Sequence, residues 1–204
     1  MDKTSITIVP MQLDHVYEVV RVHLASFQGY FLSFLGPRFL RLLYTEILKE
    51  PDRIAFVAQD RSVVVGFVVG VTNQCGFYAR LARKRKFAFA LAALGAAIRN
   101  VKIIPRLFRA LTYSRTSRVA VTQALLMSIG VLPEVQHYGI GKQLVISFLN
   151  ALKQEKVNEV SLTTDKDNNE RVNEFYLKLG FKLYRTYVTP EGRWINEYAI
   201  YLSS

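Results

Sequence analysis

Two glycines at the start of an amphipathic segment form the most informative chemical pattern in this sequence. An apolar run ending at Leu132 leads through a short turn into Gly139-Ile140-Gly141-Lys142, after which apolar residues recur at helical spacing. Glycines at a helix start leave backbone N–H groups open to a ligand, and the helix dipole and the Lys142 ammonium add positive charge there. The pattern therefore predicts an anion cradle whose natural ligand is a pyrophosphate.

A second pattern lies downstream, where Asn169 precedes the pair Phe175-Tyr176 in an amphipathic stretch that ends at Gly180. A tyrosine phenol has a pKa of about 10, so Tyr176 remains protonated at neutral pH and can donate a proton to a leaving group. Two structural alternatives stay open. Tyr176 can be a core tyrosine whose hydroxyl only finds a partner, and Asn169 can cap its helix.

Strands and helices alternate around these two patterns. Runs of β-branched residues predict strands, and apolar residues spaced by three and four predict helices. The expected strands are 6–9, 53–59, 62–72, 124–132, 159–164, 181–188 and 194–202. The expected helices are 13–27, one that begins at Pro37, 139–152 and 169–179. Both chemical patterns therefore lie where a strand leads into a helix.

The two motifs resemble those of the GNAT superfamily of acetyltransferases. The sequence Gln136-x-x-Gly139-x-Gly141 after a strand resembles its pyrophosphate loop, and Asn169 followed by Phe-Tyr-x-x-x-Gly-Phe resembles its next helix and strand. The resemblance covers the chain except 74–118. It implies an α/β (α+β) fold over one domain, 1–204, with a mixed, mostly antiparallel sheet flanked by helices. The sheet would be splayed between 124–132 and 159–164 to admit the coenzyme.

This resemblance implies transfer of an acetyl group from acetyl-CoA to an amine or hydroxyl by direct attack in a ternary complex, without a metal. Tyr176 would protonate the departing thiolate, and Asn169 would hydrogen-bond the pantetheine arm. The remaining cofactor-binding residues would be Ile129, Gly130 and Val131 along the pantetheine arm and thioester, and Gln136, His137, Tyr138, Gly139, Ile140, Gly141 and Lys142 in the pyrophosphate loop. The alternative is a non-catalytic acyl-CoA-binding or membrane-surface-associated protein on the same fold.

The general base is missing from its usual place. Some members of the superfamily have a Glu five residues before the Asn, where this sequence has Thr164. Strand alternation is expected to point the adjacent Asp165 to the opposite face, and the central strand offers only Ser128. We expect the proton of an amine acceptor to leave through ordered water. For a hydroxyl acceptor, the candidates that could help are Tyr30, His23 and Glu46.

Basic residues are concentrated in one part of the 204-residue chain, whose net charge is +11. Residues 61–133 hold 12 Lys and Arg and no Asp or Glu. Most of these bases lie in 74–118, which is too long for an ordinary connection and is expected to be a basic helical insertion. They can cover a solvated face, bind a phosphate-bearing or lipid-linked small-molecule acceptor, or contact an anionic membrane surface through 80–109. Nucleic acid is disfavoured because no recognised RNA- or DNA-binding motif is present.

Two further observations bear on location. The only cysteine, Cys75, excludes a disulfide framework and a cysteine-built zinc site. The longest apolar run, 87–98, is too short to cross a bilayer, and the first residues contain no apolar secretion signal. We therefore expect a cytoplasmic protein that is peripheral at the membrane if the insertion binds lipid.

Overall fold

The computed structural model describes residues 6–75, 77, 80, 81, 85, 87–93 and 122–202. Its strands are β1 (Ile6–Pro10), β2 (Arg53–Asp60), β3 (Val63–Val71), β4 (Ala124–Val131), β5 (Glu159–Asp165), β6 (Lys182–Val188) and β7 (Trp194–Tyr201). Its helices are α1 (Val16–Ser26), α2 (Phe31–Leu35), α3 (Pro37–Ile47), α4 (Ile140–Gln154) and α5 (Glu170–Lys178). All the strands expected from the sequence are present, and the expected helices begin and end within a few residues of their predicted limits.

The seven strands form one sheet in the order β1-β2-β3-β4-β5-β7-β6. Every neighbouring pair is antiparallel except β4 and β5, which run parallel. These two strands pair only at Ala124 with Val160 and Leu125 with Ser161 and then separate. The predicted mixed, mostly antiparallel sheet is therefore confirmed, and it is splayed between the two predicted strands.

A β-bulge at Met127 sets the direction of the side chains beyond it. Val69 pairs with Ser128, but the next residue, Gly70, pairs with Leu126, so Met127 is an extra residue in β4. A bulge shifts the alternation of side chains by one position. Ser128 consequently faces α1 and α3, opposite to the face that Leu126 occupies.

Two apolar cores pack on opposite faces of the sheet. The first is formed by α1 and α3 and includes Val19, Leu40 and Phe67. The second lies under α4 and includes Leu144 and Phe148. Helix α1 approaches β4 closely because Gly130 has no side chain: a Cβ there would lie 2.8 Å from Phe67 and 3.2 Å from the Ser26 hydroxyl.

The described part of the insertion is attached to the first core. Its described residues from Phe77 to Ala93 are helical, and Phe77, Leu81, Phe89 and Ala93 are buried. Two of its bases form ion pairs within the protein: Arg80 with Asp52 at 2.7 Å and Arg85 with Glu46 at 3.4 Å. The second helix predicted after Pro105 lies outside the described residues.

No helix among the described residues combines the length and the apolar character that a membrane span requires.

Candidate active site

A cleft of about 850 Å³ opens where β4 and β5 separate. Ten of the twelve residues that the sequence predicted for the site line it: Ile129, Gly130, Val131, Gln136, His137, Gly139, Gly141, Lys142, Asn169 and Tyr176. The other two do not. Ile140 is fully buried in the core under α4, and the half-exposed Tyr138 lies outside the lining. Separating two parallel strands thus brings both sequence motifs to one cavity.

The glycine pair lies at the junction between a short 3₁₀ helix (Pro133–Tyr138) and α4. Gly139 has a φ of 75°, a left-handed conformation that side chains disfavour. Gly141 follows in the first turn of α4, where backbone N–H groups have no partner within the helix. Lys142 also lines the cleft. The loop therefore presents backbone donors, the positive end of a 15-residue helix and an ammonium group to the cavity.

Sequence reasoning missed a second cation at this loop, Arg171. Its guanidinium lies 3.0 Å from His137 Nδ1, and both residues line the cleft. Arg171 is in the first turn of α5, two residues after Asn169, so the recognised motif already contained it. Its position suits a phosphate-binding role, since a planar guanidinium recognises phosphate with several donors.

Asn169 connects β5 to α5. Its side-chain amide donates to the Thr164 hydroxyl at 2.8 Å and to the Asp165 carbonyl at 2.9 Å. Asn169 occupies the N-cap position of α5, as the cap alternative predicted, but its side chain makes no cap hydrogen bond there. Both contacts use the side-chain nitrogen, so the side-chain oxygen Oδ1 of Asn169 accepts no hydrogen bond from another described residue.

Tyr176 lies in the wall of the cleft and is 5% exposed. Its ring contacts those of Phe175, Phe181 and Tyr198, with centroids 5.2, 5.7 and 6.2 Å away. Burial raises the pKa of the Tyr176 phenol above its ordinary value. The hydroxyl therefore remains protonated at neutral pH and is able to donate.

Asp165 lines the cleft, contrary to the expectation that its orientation excludes it. Alternation does place Asp165 and Thr164 on opposite faces, but both residues border the cavity at the end of β5. The Asp165 carboxylate is held by Arg193, whose guanidinium donates to its two oxygens at 2.6 and 2.7 Å. Arg193 also stacks on Tyr30, 5.5 Å from the ring centroid.

The three residues proposed to help a hydroxyl acceptor occupy different environments. Tyr30 and His23 line the cleft. Glu46 is buried elsewhere, where it accepts a hydrogen bond from Lys49 at 2.7 Å and pairs with Arg85. Burial raises the pKa of Tyr30, and the nearby negative charge of Asp165 raises it further. Glu46 is therefore the wrong candidate, because it does not border the cavity.

His23 is 2% exposed and lies beside the polar residue of the central strand. Its Nδ1 is 2.7 Å from the Tyr44 hydroxyl, which in turn lies 3.4 Å from the Ser128 hydroxyl. Desolvation by burial lowers the pKa of His23 to about 4. The imidazole is therefore neutral at physiological pH.

The cations of the cleft come from outside the insertion. Lys142, Arg171 and Arg193 line it, whereas no described residue of 74–118 does. Arg80 and Arg85, two of the bases that suggested an anionic acceptor, are engaged by carboxylates of the protein. The anionic acceptor stays a prediction that the described residues do not test.

Solved structures with the same architecture are numerous. Ard1 from Thermoplasma volcanium matches with a TM-score of 0.64 at 16% identity, over 98% of this chain and 100% of that one. The ribosomal-protein-S18-alanine N-acetyltransferase from Escherichia coli matches with a TM-score of 0.60 at 13% identity, over 98% and 95%. PaiA N-acetyltransferase from Thermoplasma acidophilum, solved in complex with coenzyme A, matches with a TM-score of 0.57 at 18% identity, over 95% and 98%. At these identities the likeness establishes the fold.

The family is established by sequence. No curated protein is similar enough in sequence to this chain to count as a match. The model of the Acetyltransferase (GNAT) family, however, matches residues 21–181, which include most of the cleft lining, the glycine loop and the helix that carries Tyr176. The chain therefore belongs to the GNAT family of acetyltransferases.

Proposed function

We propose that this acetyltransferase moves the acetyl group of acetyl-CoA to an amine bound at the far end of the cleft from the glycine loop. The observation that carries the proposal is the splay of β4 from β5, which opens one cavity bordered by an anion-binding loop, the free edge of β4 and a protonated tyrosine. An extended thioester with a pyrophosphate at one end has the shape and charge of such a cavity.

The residues of the cleft fit the coenzyme. Beyond Leu125, the edge of β4 that faces β5 has no strand partner among the described strands, so its backbone groups can pair with the amides of a pantetheine arm. The side-chain oxygen Oδ1 of Asn169 can accept a hydrogen bond from an amide of the same arm. Gly141, Lys142 and Arg171 surround the position for a pyrophosphate.

The reaction forms one N–C bond and breaks one C–S bond. A bound coenzyme supplies the activated acyl group. The amine nitrogen must lose one proton, and the sulfur must gain one. We assign the second proton to the Tyr176 hydroxyl, because a buried phenol stays protonated and a thiolate is a better leaving group when a donor is close. The first proton leaves through water, as the described lining contains no unpaired carboxylate.

The relatives favour an amine over a hydroxyl acceptor. The matching structures from Escherichia coli, Thermoplasma acidophilum and Staphylococcus aureus are those of N-acetyltransferases. The alternative is an acyl-CoA-binding protein without turnover. The presence of Tyr176 and Asn169 in the cleft argues against that loss of activity.

Two measurements test this proposal. In a thermal-shift assay, acetyl-CoA should raise the melting temperature more than ATP and more than dephospho-CoA. Thiol release from acetyl-CoA should then accelerate when amines are added. A protein that acetyl-CoA does not stabilise contradicts the whole proposal, whereas stabilisation without thiol release for any amine supports the non-catalytic alternative.

A second candidate role, contact with an anionic membrane surface, is favoured by the outer face of the insertion. Phe87 and Leu91 are 80% and 72% exposed and lie one helical turn apart. The adjoining sequence Arg83-Lys84-Arg85-Lys86 carries four positive charges. Exposed apolar side chains beside bases are the composition of an interfacial segment. This role is compatible with acetyl transfer.

A further inference from the structure

A buried series of hydrogen bonds lies beneath the acceptor end of the cleft. We define this end by its apolar wall, which consists of Phe27, Tyr30, Phe31 and Leu32. The series runs from His23 Nδ1 to the Tyr44 hydroxyl, at 2.7 Å, and on to the Ser128 hydroxyl, at 3.4 Å. Both end members, His23 and Ser128, line the cleft, while Tyr44 is buried behind them.

We take the tautomer of His23 that is compatible with the Tyr44 hydroxyl donating to Ser128. Tyr44 has a single hydroxyl proton, which it donates to Ser128. Its oxygen must then accept the hydrogen bond from the imidazole, so Nδ1 carries the proton of the neutral ring. Nε2 then has a lone pair and no proton.

This lone pair has no partner in the protein. Nε2 of His23 is buried and makes no hydrogen bond with any described residue. The ring is surrounded by aromatic side chains: Phe27 at 4.7 Å, Tyr44 at 5.8 Å and Phe67 at 6.2 Å between centroids. A buried acceptor without a donor costs free energy, and such groups in native structures commonly serve a ligand. Because His23 also borders the cleft, the missing donor can come from a bound molecule.

We propose that Nε2 of His23 accepts a hydrogen bond from the attacking amine, and that this amine is primary and is carried by an apolar group. The inference rests on the proposed acetyl transfer. A neutral primary amine has two N–H bonds and one lone pair. With one N–H held by His23, the lone pair can be aimed at the thioester carbonyl carbon, which contributes to rate by orientation.

His23 orients the amine in this scheme and does not itself take up the proton that the amine loses. As the N–C bond forms and the C–S bond breaks, the nitrogen loses its proton to water and the sulfur takes one from Tyr176. Since burial favours the neutral imidazole, Nε2 of His23 keeps the lone pair with which it accepts an N–H of the amine.

The walls of the acceptor end determine the rest of the acceptor. Four apolar or aromatic side chains face it, and Asp165, the only carboxylate among the described lining residues, is neutralised by Arg193. An amine whose apolar group also carried a second positive charge would find no unpaired carboxylate among the described lining residues. An aliphatic or aryl-alkyl amine satisfies both conditions, and phenethylamine is a suitable probe.

The first test is independent of activity. In protein labelled with ¹⁵N at histidine, the His23→Gln spectrum identifies the His23 resonances among the three histidines. We expect Nδ1 to be protonated and Nε2 unprotonated, and the Nε2 signal to move upfield when coenzyme A and phenethylamine are added together. A proton on Nε2, or an Nε2 signal unmoved by the two ligands, overturns the inference.

The second test compares two substitutions. In His23→Asn, the amide can keep the contact with Tyr44 but reaches no further, whereas in His23→Gln it can reach the position of Nε2. We expect His23→Asn to lower kcat/KM for phenethylamine at least about tenfold, as loss of one hydrogen bond in a buried site does. His23→Gln should retain more activity than His23→Asn, and both should bind acetyl-CoA with unchanged Kd.

Equal losses in the two variants, or a parallel loss of acetyl-CoA affinity, assign His23 to packing and overturn the inference. Failure of the proposed function has a different signature. In that case the parent protein itself does not bind acetyl-CoA or does not release its thiol with any amine.

Discussion

Arg193 and Asp165 form a doubly hydrogen-bonded ion pair across the mouth of the cleft, with contacts of 2.6 and 2.7 Å from one guanidinium nitrogen to the two carboxylate oxygens. Arg193 lies in the turn between β6 and β7, and Asp165 is the last residue of β5. The pair neutralises the only carboxylate among the described lining residues. Arg193 also stacks on the ring of Tyr30, which lies in the loop after α1 and lines the same cleft.

Removing this arginine should change which amines are accepted. In Arg193→Gln the Asp165 carboxylate is released, so a dication such as agmatine should gain about fivefold in kcat/KM, since a partly exposed pair is worth up to about 1 kcal/mol. Steady-state kinetics with agmatine and phenethylamine measure the change. Arg185→Gln, which removes the similar pair with Glu197 outside the cleft, is the matched control. An unchanged ratio of the two amines would show that Asp165 does not face the acceptor.

Replacement of the proposed proton donor should affect turnover selectively. Tyr176→Phe should lower kcat by about a hundredfold, which is typical for loss of a general acid, while the Kd for acetyl-CoA changes little. Because burial raises the pKa of Tyr176, the parent kcat should not fall as pH rises from 8 to about 10. Tyr201→Phe, at an exposed tyrosine, controls for the substitution itself. Lost coenzyme binding in Tyr176→Phe would instead make the tyrosine structural.

Replacement of Gly141 by alanine should weaken coenzyme binding without lowering the stability of the protein. A Cβ at Gly141 would meet its nearest neighbour, Phe175, at an ordinary 3.5 Å, and alanine favours a helix over glycine by up to about 1 kcal/mol. We expect Gly141→Ala to melt no lower than the parent and to bind acetyl-CoA about tenfold more weakly, since the methyl group occupies the approach of the phosphates. Calorimetric titration and thermal melting measure both properties.

The control for that variant is Gly192→Ala, in the turn between β6 and β7. Gly192 has a φ of 80° and open space around its Cβ position, so its replacement costs stability without reaching the loop. If Gly141→Ala leaves the Kd unchanged, the pyrophosphate does not approach the backbone at this position.

The buried histidine should make stability depend on pH. His23 has a pKa of about 4 in the folded protein, below the 6.5 of an unfolded histidine. The unfolded chain therefore binds the extra proton first, and the stability conferred by the neutral ring is present above pH 6.5 and declines as pH falls toward 4. The loss is on the order of 3 kcal/mol. Urea unfolding at pH 7, 5.5 and 4.5 should show a steeper loss for the parent than for His23→Gln, and equal slopes would contradict the assignment.

The exposed face of the insertion predicts lipid selectivity. Vesicles that contain phosphatidylserine should bind the protein in flotation experiments more strongly than phosphatidylcholine vesicles, and the double variant Phe87→Ser, Leu91→Ser should bind them at least about tenfold more weakly, because each buried apolar side chain contributes more than 1 kcal/mol. Leu183→Ser, at a half-exposed leucine of β6, is the control. Equal binding to both lipids, or none, removes the membrane role.

The two motifs that border the cleft could be read from the sequence because they depend on local geometry. A glycine pair at a helix start and an asparagine seven residues before a tyrosine are short-range patterns, and periodicity located every strand of the sheet. Arg171 was also within reach, since it lies inside the second motif. Its pairing with His137 was not, because the two residues are 34 positions apart.

The acceptor end was decided by tertiary structure. Asp165 meets Arg193 only because β5 ends where the turn between β6 and β7 folds over the cleft, and alternation along a strand does not show that both of its faces border a cavity. The bulge at Met127 is invisible in the sequence pattern, yet it turns Ser128 toward His23 and Tyr44.

The amino-acid sequence by itself thus determined the family, the strands of the sheet and the glycine loop, whose residues are close in the chain and whose spacing carries the information. Only the tertiary structure decided which side chains line the acceptor end of the cleft and which are already paired with other residues of the protein. The contact of His23 Nδ1 with Tyr44, 21 positions away, leaves Nε2 without a partner among the described residues. Arg80 and Arg85 look free in the sequence but form ion pairs with Asp52 and Glu46 in the folded protein. Burial and charge pairing are properties of residues distant in sequence, so they arise only when the chain has folded.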